Sequence, residues 1–161
     1  MEAANQKVID NLESSCNLMA HLAAQYSVDA RWLKALGVKW LAKHAKCWQK
    51  GSAKYLDQFV DRLLYFGEAP SYNAGVVTTS DTIDSTLARE LDLVTVAHDT
   101  LAGFRAAAWQ SEADYTPDVY EHAIGELEHQ AKHILRERNL IAKLGEAAYI
   151  GARLSDGSDR D

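Results

Sequence analysis

The stretch GEAPSYNAGVVTTSD, Gly67–Asp81, decides how the chain folds. It contains Gly67, Pro70, Asn73 and Gly75, has no helical period, and ends in Thr78-Thr79-Ser80-Asp81, residues suited to capping a helix. On both sides of it apolar residues recur at intervals of three and four. Upstream, Val8, Ile9, Leu12, Cys16, Met19, Leu22, Ala23, Tyr26, Ala30 and Leu33 predict a helix over about 5–35. After Gly37, the residues Leu41, Ala45, Trp48, Ser52, Tyr55, Phe59, Leu63 and Phe66 predict a second over about 38–66, with Ser52 a small polar residue in mid-stripe. The short link at Gly37 makes these two antiparallel neighbours. Downstream, Ile83, Leu87, Glu90, Val94, Ala97, Leu101, Phe104 and Ala108 predict a third helix over about 80–109. The pattern breaks over Gln110–Tyr115, and Thr116-Pro117-Asp118 then offers an N-cap, a proline at the first helical position and an acid in the first turn. The fourth helix carries Tyr120, Ile124, Leu127, Ala131, Ile134 and Ile141 inward and stops at Gly145, leaving 146–154 for one short extra helix. The expectation is an all-α bundle of two hairpins joined by one long crossover, forming a single domain over 1–154 with a disordered acidic tail over 155–161.

With 161 residues, 47% apolar and 25% charged, the chain is long enough for one globular core. It has 17 Lys and Arg against 23 Asp and Glu, a net of −6, and neither terminus is basic, so nucleic acid is not an expected partner. No window approaches ~18 consecutive apolar residues, and Met1–Lys7 places an acid where a signal peptide would be basic and then apolar. A cytoplasmic protein with no membrane partner is expected. Cys16 and Cys47 are too few for a disulfide framework or a thiolate zinc site. Across an antiparallel hairpin they are offset by about ten residues, ~15 Å, and are expected to be unbridged, half-buried thiols.

Several short segments resemble bacterioferritin, in order. Val8-Ile9 with Leu12, Gln25-Tyr26, Ala30-Arg31, Leu33-Lys34, Gly37 and Leu41 resemble that family's first hairpin. Asp61-Arg62-Leu63-Leu64 before Gly67 and Pro70 resembles the end of its second helix. Leu87-Ala88-Arg89-Glu90-Leu91-Asp92 resembles the start of its third, and Lys143-Leu144-Gly145 the end of its fourth. The likeness spans residues 7–150. It implies a ferritin-like four-helix bundle with a long crossover between helices 2 and 3, self-association into a cage, and iron as the cargo. Members of that family oxidise ferrous iron at a di-iron centre built from carboxylates of all four helices and two histidines. Carried over by position, those ligands fall on Met19, Ser52, Tyr55, Glu90, Leu127 and Gln130, so that Glu90 alone is retained. The family's haem methionine falls on Ala53, and no haem is expected through that ligand.

Periodicity speaks to the same positions independently, since Met19, Ser52, Leu127 and Gln130 lie on or beside the inward stripes. The interior therefore reads as apolar with a few small polar groups. A buried Glu90 then needs a donor, Tyr55 or Gln130, or must stay protonated; a single-metal ligand is the alternative. Glu126 and His129, three apart, fall with His122 and His133 in a stripe to the side of Leu127. That stripe is either a solvated face or a surface or intersubunit site for zinc or iron. Lys39, Lys43, Lys46, Lys50 and Lys54 all fall within about 40° of the direction opposite the core of helix 2, giving a solvated or anion-binding face. The expected function is a bacterioferritin-like cage subunit without its own ferroxidase centre or haem, assembling alone or with an active paralogue. One alternative is a metal-binding enzyme in which a slipped helix register joins Glu90, Glu126 and His129. The other is a module using the lysine face with Trp32, Trp40, Trp48 and Trp109 to hold an anionic ligand or protein cargo.

Overall fold

A computed structural model describes residues 2–111 and 115–155. It contains five helices: α1 Glu2–Ala35, α2 Lys39–Tyr65, α3 Ile83–Gln110, α4 Thr116–Leu144 and α5 Glu146–Ser155. No strand occurs among the described residues. The hairpin α1–α2 closes through a short turn, α3 packs against α4 as the second hairpin, and the two meet with α1 against α3 and α2 against α4, while α5 folds back on α4. Gly37 turns the first hairpin at φ 91°, in the left-handed region that glycine enters without a Cβ clash.

The direction of the second hairpin is set by the crossover, residues 66–82, which runs along α1 as a strap. Asn73 N donates to Asn17 Oδ1 at 2.7 Å, and His21 Nδ1 donates to the Ala74 carbonyl at 2.6 Å. Gln25 makes a two-way bond with Thr78, donating to its carbonyl at 2.7 Å and accepting from its N–H at 3.1 Å. Trp32 Nε1 donates to the Ser80 carbonyl. Successive strap residues thus meet successively later residues of α1, so the strap runs parallel to α1 and α3 starts near the end of α1. As a consequence α2 and α3 point the same way, which a hairpin loop between them would forbid.

Two helix starts differ from the sequence expectation. Helix α3 begins at Ile83 rather than near 80, because Thr82 and Ser85 cap each other reciprocally and outcompete the residues before them. Helix α4 is capped by Tyr115 at φ 58°, while Thr116 lies inside the helix, buried, its Oγ1 accepting from Arg62 Nε at 3.1 Å. The Thr116 hydroxyl serves the neighbouring hairpin instead of the helix end. Helix α1 starts at Glu2, earlier than expected. Of the expected tail, residues 156–161 lie outside the described residues.

The core follows the periodic stripes, with Leu12, Tyr26, Leu41, Phe59, Leu63, Leu87, Leu101, Tyr120 and Ile134 buried. The two cysteines are free but not half-buried: Cys16 is fully buried and Cys47 is exposed. Burial, and secondarily the charge of Glu13, pushes the Cys16 thiol up to about 11, so it behaves as a small apolar filler. No helix among the described residues is long and apolar enough to cross a membrane.

Candidate functional site

Charge in the bundle interior centres on Glu90. Its side chain is fully buried on α3, facing Asp29 of α1, which is buried as well. Arg89 ties the pair to its surroundings: Nη2 bonds Asp29 Oδ1 at 2.6 Å, and Nη1 donates to Ser80 Oγ of the strap. Gln25 Nε2 adds a 2.9 Å bond to the same Asp29 oxygen. Asp29 Oδ2 and both oxygens of Glu90 have no donor among the described residues. Two carboxylates cannot bond one another, but a carboxylic acid and a carboxylate can. Burial, followed by the charge and hydrogen bond of Asp29, pushes the Glu90 carboxyl well above its ordinary range. Burial raises Asp29 too, against the pull of Arg89. With Arg89 on Asp29, the proton resides on Glu90 and the charge on Asp29. Neither Tyr55 nor Gln130 donates to Glu90; of the two outcomes expected from sequence, the raised carboxyl facing Asp29 fits the protonated one.

Tyr26 forms the next layer. Burial first, then the carboxyl groups of Glu90, Asp29 and Glu126, hold its hydroxyl well above the usual phenol range, so it stays protonated. It donates to Gln130 Oε1 at 2.8 Å, and Gln130 Nε2 reaches Glu126 Oε1 at 3.3 Å. Glu126 also lies against α2, its Oε1 3.6 Å from where a Cβ on Gly51 would sit, and it helps burial to raise the Tyr55 hydroxyl. Glu126 is therefore half-buried at the edge of the core, against Gly51 of α2, instead of pointing aside. Met19, Ser52 and Leu127 are buried, and Ser52 Oγ has no partner among the described residues.

The helix register sends Leu127 and Gln130 inward and leaves His122 and His129 exposed. Glu90, Glu126 and His129 are accordingly not brought together, and among the described residues no three His, Cys, Asp or Glu side chains converge on a metal position. A di-iron centre does not fit this interior. Of the six positions carried over from the resembled family only Glu90 has a carboxyl, and the others are Met19, Ser52, Tyr55, Leu127 and Gln130. Ala53, onto which the resembled family's haem methionine would fall, is exposed on α2 and has no donor atom.

His133 has a different role. Its ring stacks on His44 at 4.4 Å between centroids, with Trp40 at 5.2 Å and Trp48 at 5.4 Å. Burial lowers the pKa of both imidazoles; His133 repels protonation of His44, and His129, Arg136 and Arg153 oppose protonation of His133, with Glu137 pulling the other way on each. Both rings are neutral at neutral pH. Their contribution to stability is complete above the unfolded value of about 6.5 and is lost as pH falls through the lowered folded values. His98, held by Asp99 and Glu128, is raised instead, and its contribution is lost only as pH rises above that value. The Tm difference between His133→Gln and wild type, followed from pH 7 to pH 5, is expected to move in favour of the variant as pH falls, since Glu90 and His98 act alike in both proteins; an unchanged difference would remove the histidine pair from the account.

Glu137 closes the far side of this cluster. It is fully buried on α4, accepts from Tyr149 Oη, and receives Arg153 Nη2 on both carboxylate oxygens at 2.6 Å. The Arg153 guanidinium also lies 4.0 Å over the Trp40 ring. Two helical turns of α5 are thereby fixed to α4 and α2. Trp40 and Trp48 are thus taken up by packing, and Trp32 by the strap, leaving Trp109 as the exposed one of the four tryptophans.

All five lysines of the α2 face are exposed. Lys39, Lys43 and Lys46 join Arg31 and Lys34 of α1 around a groove of about 630 Å³, to which Lys50 and Lys54 do not contribute. No protein-family model matches the chain, and no curated protein matches it significantly.

Proposed function

We propose that this chain is a structural subunit of a bacterioferritin-like cage that assembles alone or with an active paralogue and does not oxidise iron at a centre of its own. The observation that carries the reading is the filled interior. Met19, Ser52, Leu127 and Gln130, all buried, occupy the positions where the resembled family keeps ligands, and the one carboxyl left, Glu90, is buried with its pKa pushed up. Supporting it, the strap makes α2 and α3 parallel, the arrangement of ferritin-like bundles with one long crossover. Leu64, Tyr65, Tyr72 and Val76, near the end of α2 and on the strap, leave apolar surface exposed, as self-association requires.

The test joins mass and chemistry on one preparation. Light scattering is expected to give a closed assembly of many chains, and added Fe²⁺ to oxidise no faster than in buffer. A monomer would overturn the cage. Stoichiometric tight iron with rapid oxidation would overturn the absence of a centre.

A further inference from the structure

We propose that the groove between the second half of α1 and the first half of α2 binds a linear oligophosphate through Arg31, Lys34, Lys39, Lys43 and Lys46. In a chain of net charge −6, these five cations gather around one concavity of about 630 Å³, within the size range of small-molecule sites. No carboxylate lines it, and none of the five forms an ion pair among the described residues. Along α2 the rise from Lys39 to Lys43 is ~6 Å and from Lys39 to Lys46 ~10 Å. The neighbouring α1 row stands ~8–10 Å away, the spacing of packed helices. Neighbouring charges therefore lie within about one Debye length of each other, ~8 Å at physiological salt, and they repel until an anion neutralises them.

The lining also selects among anions. Arg31 is held by Ser27, its Nη1 donating to the Ser27 carbonyl at 3.3 Å and hydroxyl at 3.2 Å, which steadies a guanidinium suited to phosphate oxygens. Between the two rows, Ala30 and Ala42 keep the floor short. No aromatic ring lines the groove, so a nucleobase has nothing to stack on. Several charges in one slender molecule suit these walls better than one carboxylate or a nucleotide. This assignment is independent of the cage reading, because binding is measured per chain whatever the assembly mass or iron chemistry.

Isothermal titration of the full chain with sodium tripolyphosphate is the test, with orthophosphate and ATP as comparators. One tripolyphosphate per chain is expected, bound more tightly than orthophosphate and at least as tightly as ATP. Raising salt from about 50 to about 200 mM is expected to weaken binding about tenfold, in the manner of a multiply charged contact. The double change Lys43→Ala with Lys46→Ala is expected to weaken it about tenfold or more, by losing two charge-assisted contacts. Lys50→Ala with Lys54→Ala, on the same helix but outside the groove, leaves it unchanged. Circular dichroism of both variants confirms that these exposed changes leave the fold intact. Equal losses from the two pairs would mean diffuse surface charge and overturn the site. Markedly tighter ATP would make it a nucleotide site and overturn the assignment, as would no binding of tripolyphosphate.

Discussion

Replacing Glu90 by glutamine is expected to raise the unfolding free energy at pH 7 by about 1–2 kcal/mol, the usual scale of a well-chosen stabilising change. In the folded chain Glu90 holds a proton, forced on it by burial and by Asp29. In the unfolded chain it releases that proton above its ordinary value of 4.5. A group whose folded pKa is raised contributes stability that is complete below the unfolded value and is lost as pH rises towards the folded one. The wild-type protein therefore loses stability on this account above about pH 4.5, whereas glutamine presents a permanent N–H donor to Asp29 and loses none. The advantage of Glu90→Gln should shrink to nothing by about pH 4, since both side chains then donate. Urea unfolding at pH 4 and pH 7 measures it. A glutamine variant destabilised at pH 7 would mean that Glu90 is ionised and serves a cation.

The second large effect concerns α5. Glu137→Ala is expected to cost about 3–5 kcal/mol, because it leaves the Arg153 guanidinium and the Tyr149 hydroxyl without their buried partner. The loss should be local before it is global. Amide exchange over 146–155 should accelerate first, while α1 through α4 keep most of their protection. Tyr149→Phe removes one bond and keeps the ring, so it should cost only about 1 kcal/mol. If Glu137→Ala is no worse than Tyr149→Phe, the ion pair with Arg153 contributes nothing and α5 is held by its apolar face.

These two carboxyls mark the boundary of what periodicity conveys. Glu90 lies on the stripe that runs through Leu87 and Val94 and reads as buried, whereas Glu137, between Ile134 and Ile141, shares their spacing but is not singled out among the inward residues of the fourth helix. Asp29 likewise falls between the buried Tyr26 and Leu33. What spacing does not convey is the partner. The Asp29–Glu90 and Glu137–Arg153 pairs join different helices, and each depends on the rotation of two helices at once. Glu126 is a further case: angular bookkeeping sent it aside, yet it sits half-buried against Gly51 of another helix and accepts from Gln130. The lysine face was readable as a face, yet only its first three lysines meet α1, since the groove needs Arg31 and Lys34 opposite them. At helix ends, local chemistry was legible but contested. Thr116 had the residue type of a cap and was taken by Arg62 of the other hairpin.

The strap stores its own route elsewhere. Asn17, His21, Gln25 and Trp32 grip main-chain atoms of residues 73, 74, 78 and 80, and ask nothing of the side chains there. Tyr72 and Val76 accordingly remain 49% and 82% exposed. Most of the instructions for where the crossover goes are thus written in the first helix, with Gly75 at φ 71°, Asn73 Oδ1 on the Gly75 N–H and Ser80 Oγ on Arg89 as the segment's own share. Such a division of labour leaves the outward side chains of the strap open to drift towards a new neighbour, while the second hairpin keeps its orientation.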